Sequence, residues 1–232
     1  MQRCGLDAVR AALDAGEDLR KVLVLRDCDD GDLLALRADL DAAGVPVVEG
    51  SERDLWRMAV DGPARALGLV GRDPDASLET LLSGAQLLWM LDGAQYTNNI
   101  GYCIRMAEAS GADGLLVTGE WTSDDRHRVV RAGMKTHRFM PVHFGVDPLA
   151  VVQSFHGQSC AIEDIGTSMP WDVDLTQASL LIIGGEHGGI SPAVLEAADH
   201  LIRIPMAGFT PSYNLQAPMA VVAVEALRQK RK

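Results

Sequence analysis

Three stretches of this 232-residue chain join apolar runs to turns that carry polar side chains. The first runs Leu91-Asp92-Gly93-Ala94-Gln95-Tyr96-Thr97-Asn98-Asn99-Ile100-Gly101 and continues to Arg105. It reads as a buried strand that ends in a polar turn and enters a helix. Ligands of open α/β sheets bind at such carboxyl ends. Asn98 or Asn99 is of a type that caps a helix. Arg105 falls about two turns further on, between Ile104 and Met106, either as a surface residue or as a functional placement. The second stretch is Gly184-Gly185-Glu186-His187-Gly188-Gly189-Ile190-Ser191-Pro192. Glycines let a backbone approach a ligand closely, and Ser191-Pro192 suits an N-cap with proline at the first helical position. No Gly-Lys-Ser/Thr follows and the spacing is not G-x-G-x-x-G, which excludes a P-loop and the dinucleotide fingerprint. Glu186 sits among glycines where no structural need calls for a carboxylate. The third stretch, Ile204-Pro205-Met206 through Ser212-Tyr213-Asn214-Leu215, is a strand, an irregular loop and a helix start, with Ser212 and Asn214 as capping types. Carboxylate, amide, hydroxyl and guanidinium groups on such turns are suited to orienting a ligand and sharing a proton.

The elements that must position these groups form two series. Residues 1–72 alternate helix and strand signals. Leu6, Val9, Ala12 and Leu13 share one side of a short helix that opens near Gly5. Residues 21–25 read as a buried strand, 33–43 as a helix ended by Gly44, and 45–48 as an edge strand because of Pro46. A third helix holds Leu55, Met58 and Ala59, and a strand covers 66–70. Residues 73–84 break the pattern and read as a linker with a helical turn. Residues 85–232 form a second α/β series, with strands at 86–90, 114–117, 179–183 and 201–204. Helices follow at 98–110, 191–198 and 213–228, the last with Pro218 in its first turn and Leu215, Met219, Val222 and Ala226 at helical spacing. Strands alternating with helices imply a parallel sheet covered on both faces.

Composition sets bounds. No apolar run approaches the ~18 residues that span a bilayer, and the first residues lack a signal peptide's apolar core, so a cytoplasmic protein is expected. Cys4, Cys28, Cys103 and Cys160 lie far apart, without the paired spacing of structural zinc, so no metal is expected. The net charge is −11, the wrong sign for a polyanion partner, yet a local basic patch is sufficient. Residues 126–138 hold Arg126, Arg128, Arg131, Lys135 and Arg138 with no acid, and the chain ends Arg228-Gln229-Lys230-Arg231-Lys232. Over residues 1–84 there are 10 Lys and Arg against 17 Asp and Glu, which leaves any polyanion contacts there to Arg3, Arg10, Arg53 and Arg57.

Taken together and in order, the three stretches resemble the SPOUT methyltransferases of the SpoU/TrmH type. That family carries an N-x-G-x-x-x-R-like motif, then G-x-E-x-x-G, then I-P-M followed by S-L-N. The corresponding residues are Asn99, Gly101 and Arg105, then Gly184, Glu186 and Gly189, then Ile204-Pro205-Met206 with Ser212-Tyr213-Asn214. Tyr213 stands where leucine is usual, Gly185 where asparagine is common, and Leu215-Gln216 where valine-serine is usual. The resemblance implies a trefoil-knotted C-terminal domain, a homodimer with the active site at the subunit interface, and S-adenosylmethionine as methyl donor. Gly184, Gly185, Gly189, Ile204, Met206, Tyr213 and Leu215 would hold the donor. Asn99, Arg105, Glu186, Ser212 and Asn214 would surround a ribose 2′-hydroxyl of RNA. Arg105 would act as a base, steady an alkoxide or hold a phosphate. The first unit resembles the small ribosomal-protein-like RNA-binding domain that often precedes the family's catalytic domain, which favours rRNA over tRNA. The alternatives are a tRNA 2′-O-methyltransferase and an inactive RNA-binding or assembly protein of the same fold.

Overall fold

The computed structural model describes residues 1–210 and 212–231. Pro211, in the third stretch, and Lys232, at the end of the basic tail, lie outside the described residues. The chain divides into two compact units, Met1–Pro74 and Asp75–Lys232.

The first unit comprises β1 (Gln2–Cys4), α1 (Leu6–Asp14), β2 (Leu19–Leu25), α2 (Gly31–Ala42), β3 (Val47–Gly50), α3 (Glu52–Met58) and β4 (Ala66–Val70). Its sheet has the order β1-β4-β2-β3. β3 pairs parallel with β2, and β4 runs antiparallel to both β2 and β1. Asp30 caps α2 by accepting from the N–H groups of Asp32 and Leu33. Leu33, Leu36 and Leu40, at helical spacing, are wholly buried with Val9 of α1 and Val22 and Val24 of β2. β3 lies at the sheet edge, as Pro46 implied. Its residues start just after the proline, whose carbonyl accepts from Val22 N–H at 2.9 Å. β1 was not anticipated, because three residues are too few to show a period of two.

The second unit comprises α4 (Leu78–Gly84), β5 (Leu87–Asp92), α5 (Thr97–Ala109), β6 (Gly114–Thr118), α6 (Ser123–Ala132), β7 (Val142–Val146), α7 (Pro148–Ser154), β8 (Gln158–Ile162), β9 (Ser179–Gly184), α8 (Pro192–Ala197), β10 (His200–Ile202) and α9 (Gln216–Lys230). Its six strands are all parallel, in the order β10-β8-β9-β5-β6-β7. One apolar layer joins β5 and β9 to α5 and α9, and the opposite layer joins them to α4, α7 and α8. Every residue of β5 is buried, which is why it reads as an unbroken apolar run.

Several expectations change. The sequence reading has no strand at β7 or β8, whose Val-His-Phe-Gly-Val and Gln-Ser-Cys-Ala-Ile lack a clean apolar run. Residues 78–84, expected within a linker, form α4. Ser77 caps it by accepting from Thr80 N–H at 3.1 Å, and Leu81 is buried in the second layer. The last strand stops at Ile202, and the last helix starts at Gln216 rather than Tyr213. Neither Ser212 nor Asn214 supplies a side-chain cap. Pro218 does fall in the first turn, and Leu215, Met219, Val222 and Ala226 are buried at the expected spacing. Among the described residues, no helix is long and apolar enough to cross a membrane.

Gly101 fixes how α5 meets α6. A β-carbon there would stand 2.6 Å from the Ala132 β-carbon and 2.7 Å from the Gly133 nitrogen and the Val129 carbonyl oxygen. Backbone cannot yield as a flexible side chain can. Gly101→Ala is therefore expected to destabilise the second unit by roughly 1–3 kcal/mol, the usual cost of overpacking. Calorimetric unfolding would show it as a lowered transition; an unchanged transition would mean that the two helices part freely.

Candidate active site

The carboxyl ends of β5, β8 and β9 meet the loop before α9 around a cleft of about 560 Å³. Its centre is a chain of hydrogen bonds. The Asn99 side-chain amide donates to Glu186 Oε1 at 2.6 Å, and Gln95 N–H donates to Glu186 Oε2 at 3.0 Å. Gln216 Nε2 donates to Asn99 Oδ1 at 2.9 Å. Asn99 thereby ties the turn after β9 to the first turn of α9. The expectation that Asn98 or Asn99 caps α5 is not met. Tyr96 holds the cap position without a side-chain bond, and the Asn99 amide is turned to Glu186 instead. Partial burial of Glu186 favours its neutral form, but the donors from Gln95 and Asn99 outweigh this and hold the carboxyl below its ordinary range.

A second set of contacts holds the turns. Gly185 N–H donates to the Asp92 carbonyl at 2.7 Å. A side chain at Gly185 would overlap the carbonyl of Gly93, so only glycine allows this crossing. The Asp92 carboxylate is buried, accepting from Ser191 N–H at 2.8 Å and from the Thr118 hydroxyl at 3.3 Å. Thr118 in turn accepts from Gly93 N–H at 2.9 Å. Glu163, just after β8, accepts from Ile190 N–H at 2.7 Å. The Tyr96 hydroxyl lies 3.1 Å from His187 Nε2, the two rings edge to face. Ser191 occupies the α8 cap position without a side-chain cap bond.

The cleft is lined by Asn99, Glu186, Ser212 and Asn214, and by Gly184, Gly185, Gly189, Ile204, Met206, Tyr213 and Leu215. These are the expected site residues with one exception. Arg105 lies six residues beyond Asn99, roughly 240° around the helix and about 9 Å along it. It is exposed, does not line the cleft, and makes no hydrogen bond or ion pair with another described residue. Sequence reasoning missed Asp92, Tyr96, Glu163, Asp164, His187 and Gln216 as site residues. Asp92 carried a signal, a carboxylate closing a six-residue buried strand. Glu163 carried none while its strand went unread. Among the described residues, no group of three or more His, Cys, Asp or Glu is placed to hold a metal ion. Cys103 is buried near Glu186, and burial followed by that negative charge pushes its thiol far up; burial and then Asp199 push Cys160 up to about 12.

The SpoU rRNA methylase family model matches residues 86–224, a span that contains the cleft and all three turns. The chain belongs to the SpoU rRNA methylase family. Its family resemblance extends to full-length relatives. It is 29% identical to the 23S rRNA (guanosine-2′-O-)-methyltransferase RlmB of Photobacterium profundum, over 98% of this chain and 97% of that protein. It is 30% identical to the protein of the same name from a Burkholderia species, over 75% and 74% of the two chains. Among solved structures it is similar to the AdoMet-bound rRNA methyltransferase from Sinorhizobium meliloti, with a TM-score of 0.59 at 26% identity over 98% and 86% of the chains. The SpoU methyltransferase AviRb from Streptomyces viridochromogenes shares the fold, with a TM-score of 0.62 at 24% identity over 100% and 91%.

The Glu186 contacts give a pH test. A carboxyl whose folded pKa is depressed stabilises the fold above the unfolded value, and that contribution is lost as pH falls through the folded value. Asn99→Ala removes a donor to the ionised form, so Glu186 is expected to titrate at higher pH in that variant. Carboxyl-carbon NMR would report it. An unmoved titration would mean that the 2.6 Å contact does not hold the charge.

Proposed function

We propose that this chain transfers the methyl group of S-adenosylmethionine to a ribose 2′-hydroxyl of ribosomal RNA. The observation that carries the reading is the cleft itself, where Asn99 and Glu186 are bonded to each other beside the backbone of residues 184–189 and 204–215. Family membership and relatives named as 23S rRNA 2′-O-methyltransferases support the same chemistry.

The cleft suits the donor. Its volume is within the ordinary range for small-molecule sites, and Ile162, Ile183, Ile204 and Leu215 offer apolar walls beside exposed backbone. Glu163, Asp164 and Glu186 give it negative charge, complementary to a sulfonium cation. In this reading Gly184, Gly185, Gly189, Ile204, Met206, Tyr213 and Leu215 hold the donor, chiefly through backbone groups. Bound S-adenosylmethionine supplies a methyl group already activated on sulfur. The chain's own work is to orient the hydroxyl, through Glu186, Asn99, Ser212 and Asn214, and to manage the proton it loses.

Arg105 enters from a second copy of the chain. α9 turns Val221 and Val224 outward at 42% and 65% exposure, and Tyr102 of α5 is 46% exposed. Such apolar side chains on α5 and α9 suit a homodimer interface. Arg105 lies on the exposed side of α5 with Tyr102, so its guanidinium would reach the partner's cleft and steady charge developing on the ribose oxygen. The family resemblance implies a trefoil knot in residues 85–232. Residues 1–72 act as a ribosomal-protein-like RNA-binding domain, and the protein works in the cytoplasm.

The test is methyl transfer from labelled donor to deproteinised rRNA, read as 2′-O-methylnucleoside after digestion. Arg105→Ala is expected to lower kcat by roughly a hundred-fold or more, with donor affinity by calorimetry unchanged. Co-expressing Arg105→Ala with Asn214→Ala chains separates the two placements of Arg105. A site built from two copies leaves one intact site in each hybrid dimer, returning about a quarter of the wild-type rate under random pairing. A site built within one copy returns nothing.

A further inference from the structure

The first unit has a cleft of its own, about 550 Å³, between α3 and the loop that precedes β4. Its lining includes Leu25, Pro63 and Ala64 as apolar surface, with Arg53, Trp56 and Arg65 around them. Trp56 is 62% exposed, whereas Trp89 is wholly buried. The local fold explains the exposure. Ser51 and Asp54 form a reciprocal capping box that fixes the start of α3. Asp54 and Leu55 then face inward, so Trp56 and Arg57 must face out. Arg53 and Arg57 lie one turn apart on the same side, next to Trp56.

This arrangement stands against the unit's overall charge. Residues 1–84 hold 10 Lys and Arg against 17 Asp and Glu, yet the only acid in the lining of this cleft is Glu52, against Arg53 and Arg65. Arg65 is paired with Asp30, which leaves Arg53 as the other cation of the lining, with the exposed Arg57 one turn further along α3. An exposed indole flanked by guanidinium groups has the chemistry of a stacking platform for single-stranded nucleic acid, where a base lies on the ring and the cations meet phosphates.

We propose that this cleft seats an unpaired base of the RNA on the Trp56 ring, with the adjoining phosphates met by Arg53 and Arg57. The proposal rests on the reading that the chain acts on RNA. It adds that the first unit recognises single-stranded rather than duplex RNA, since a base inside a helix presents no free face to an indole.

The test uses the full-length chain and two fluorescein-labelled probes, a single-stranded RNA of about ten nucleotides, within the usual site size, and a duplex of equal length. Trp56→Ala is expected to weaken single-strand binding about 5- to 150-fold, the range for losing one base–aromatic stack. Trp56→Phe should retain most of the affinity, and Arg53→Ala should flatten the salt dependence. Duplex binding and donor binding should be unchanged in Trp56→Ala, and an unfolding transition of the first unit matching the wild type would show that the variant is folded. Equal single-strand affinity in wild type and Trp56→Ala would overturn the proposal, and would leave this face to a protein partner. If the wild type still methylates rRNA in that case, only this proposal falls. If the wild type neither binds nor methylates RNA, the functional reading falls with it.

Discussion

The close crossing of the turn after β9 over the end of β5 governs the cleft. Gly185 must lie against the carbonyl of Gly93, and its own N–H donates to the Asp92 carbonyl. Any side chain at 185 would push the two turns apart. Their separation would break the Asp92–Ser191 bond and draw Glu186 away from Asn99 and Gln95. Gly184, Gly185 and Gly189 are therefore a steric requirement of the fold before they are a feature of any ligand site. The site inherits from them a length of exposed backbone, since residues without side chains leave their peptide groups open to a ligand.

Two carboxylates act on either side of this crossing, and their surroundings separate their roles. Asp92 is buried and committed to Ser191 and Thr118, so it braces the turns. Burying a charge is costly unless donors meet it, and both of its oxygens have one. Glu186 lines the cleft and is held ionised by Gln95 and Asn99. Its position between two turns and a helix makes it sensitive to movement of any of them. Gln216 extends the network to α9 through Asn99, so the helix bearing the outward Val221 and Val224 is coupled to the site. That link gives a physical route by which association of two copies would set the geometry of the cleft.

Much of this was legible in the sequence, and the failures have physical causes. β5 and β9 are buried on both faces and appeared as apolar runs. The cluster of Gly184, Glu186 and Gly189 appeared because glycine and an unexplained carboxylate are informative by type. β8 was not legible, since Gln158, Ser159 and Cys160 disguise a buried strand; Glu163 was lost with it. The polar partners also decided details that propensity could not. Asn99 is a good capping residue in isolation, yet a carboxylate 2.6 Å away claims its amide. Arg105 was legible as a motif residue, but its direction was not, because helical phase turns it away from Asn99. The acidic charge of the first unit concealed the local grouping of Arg53, Trp56 and Arg57, which only the position of α3 reveals.

The central claim is that this cleft serves methylation of a ribose in rRNA. Mapping 2′-O-methylated nucleotides across total cellular RNA, with and without the protein, tests it most directly, because such sites resist alkaline cleavage and can be read one by one. The account predicts the loss of methylation at one or a few rRNA positions when the protein is absent, and its return when the wild-type chain is restored. An identical 2′-O-methylation map in both cases would contradict it.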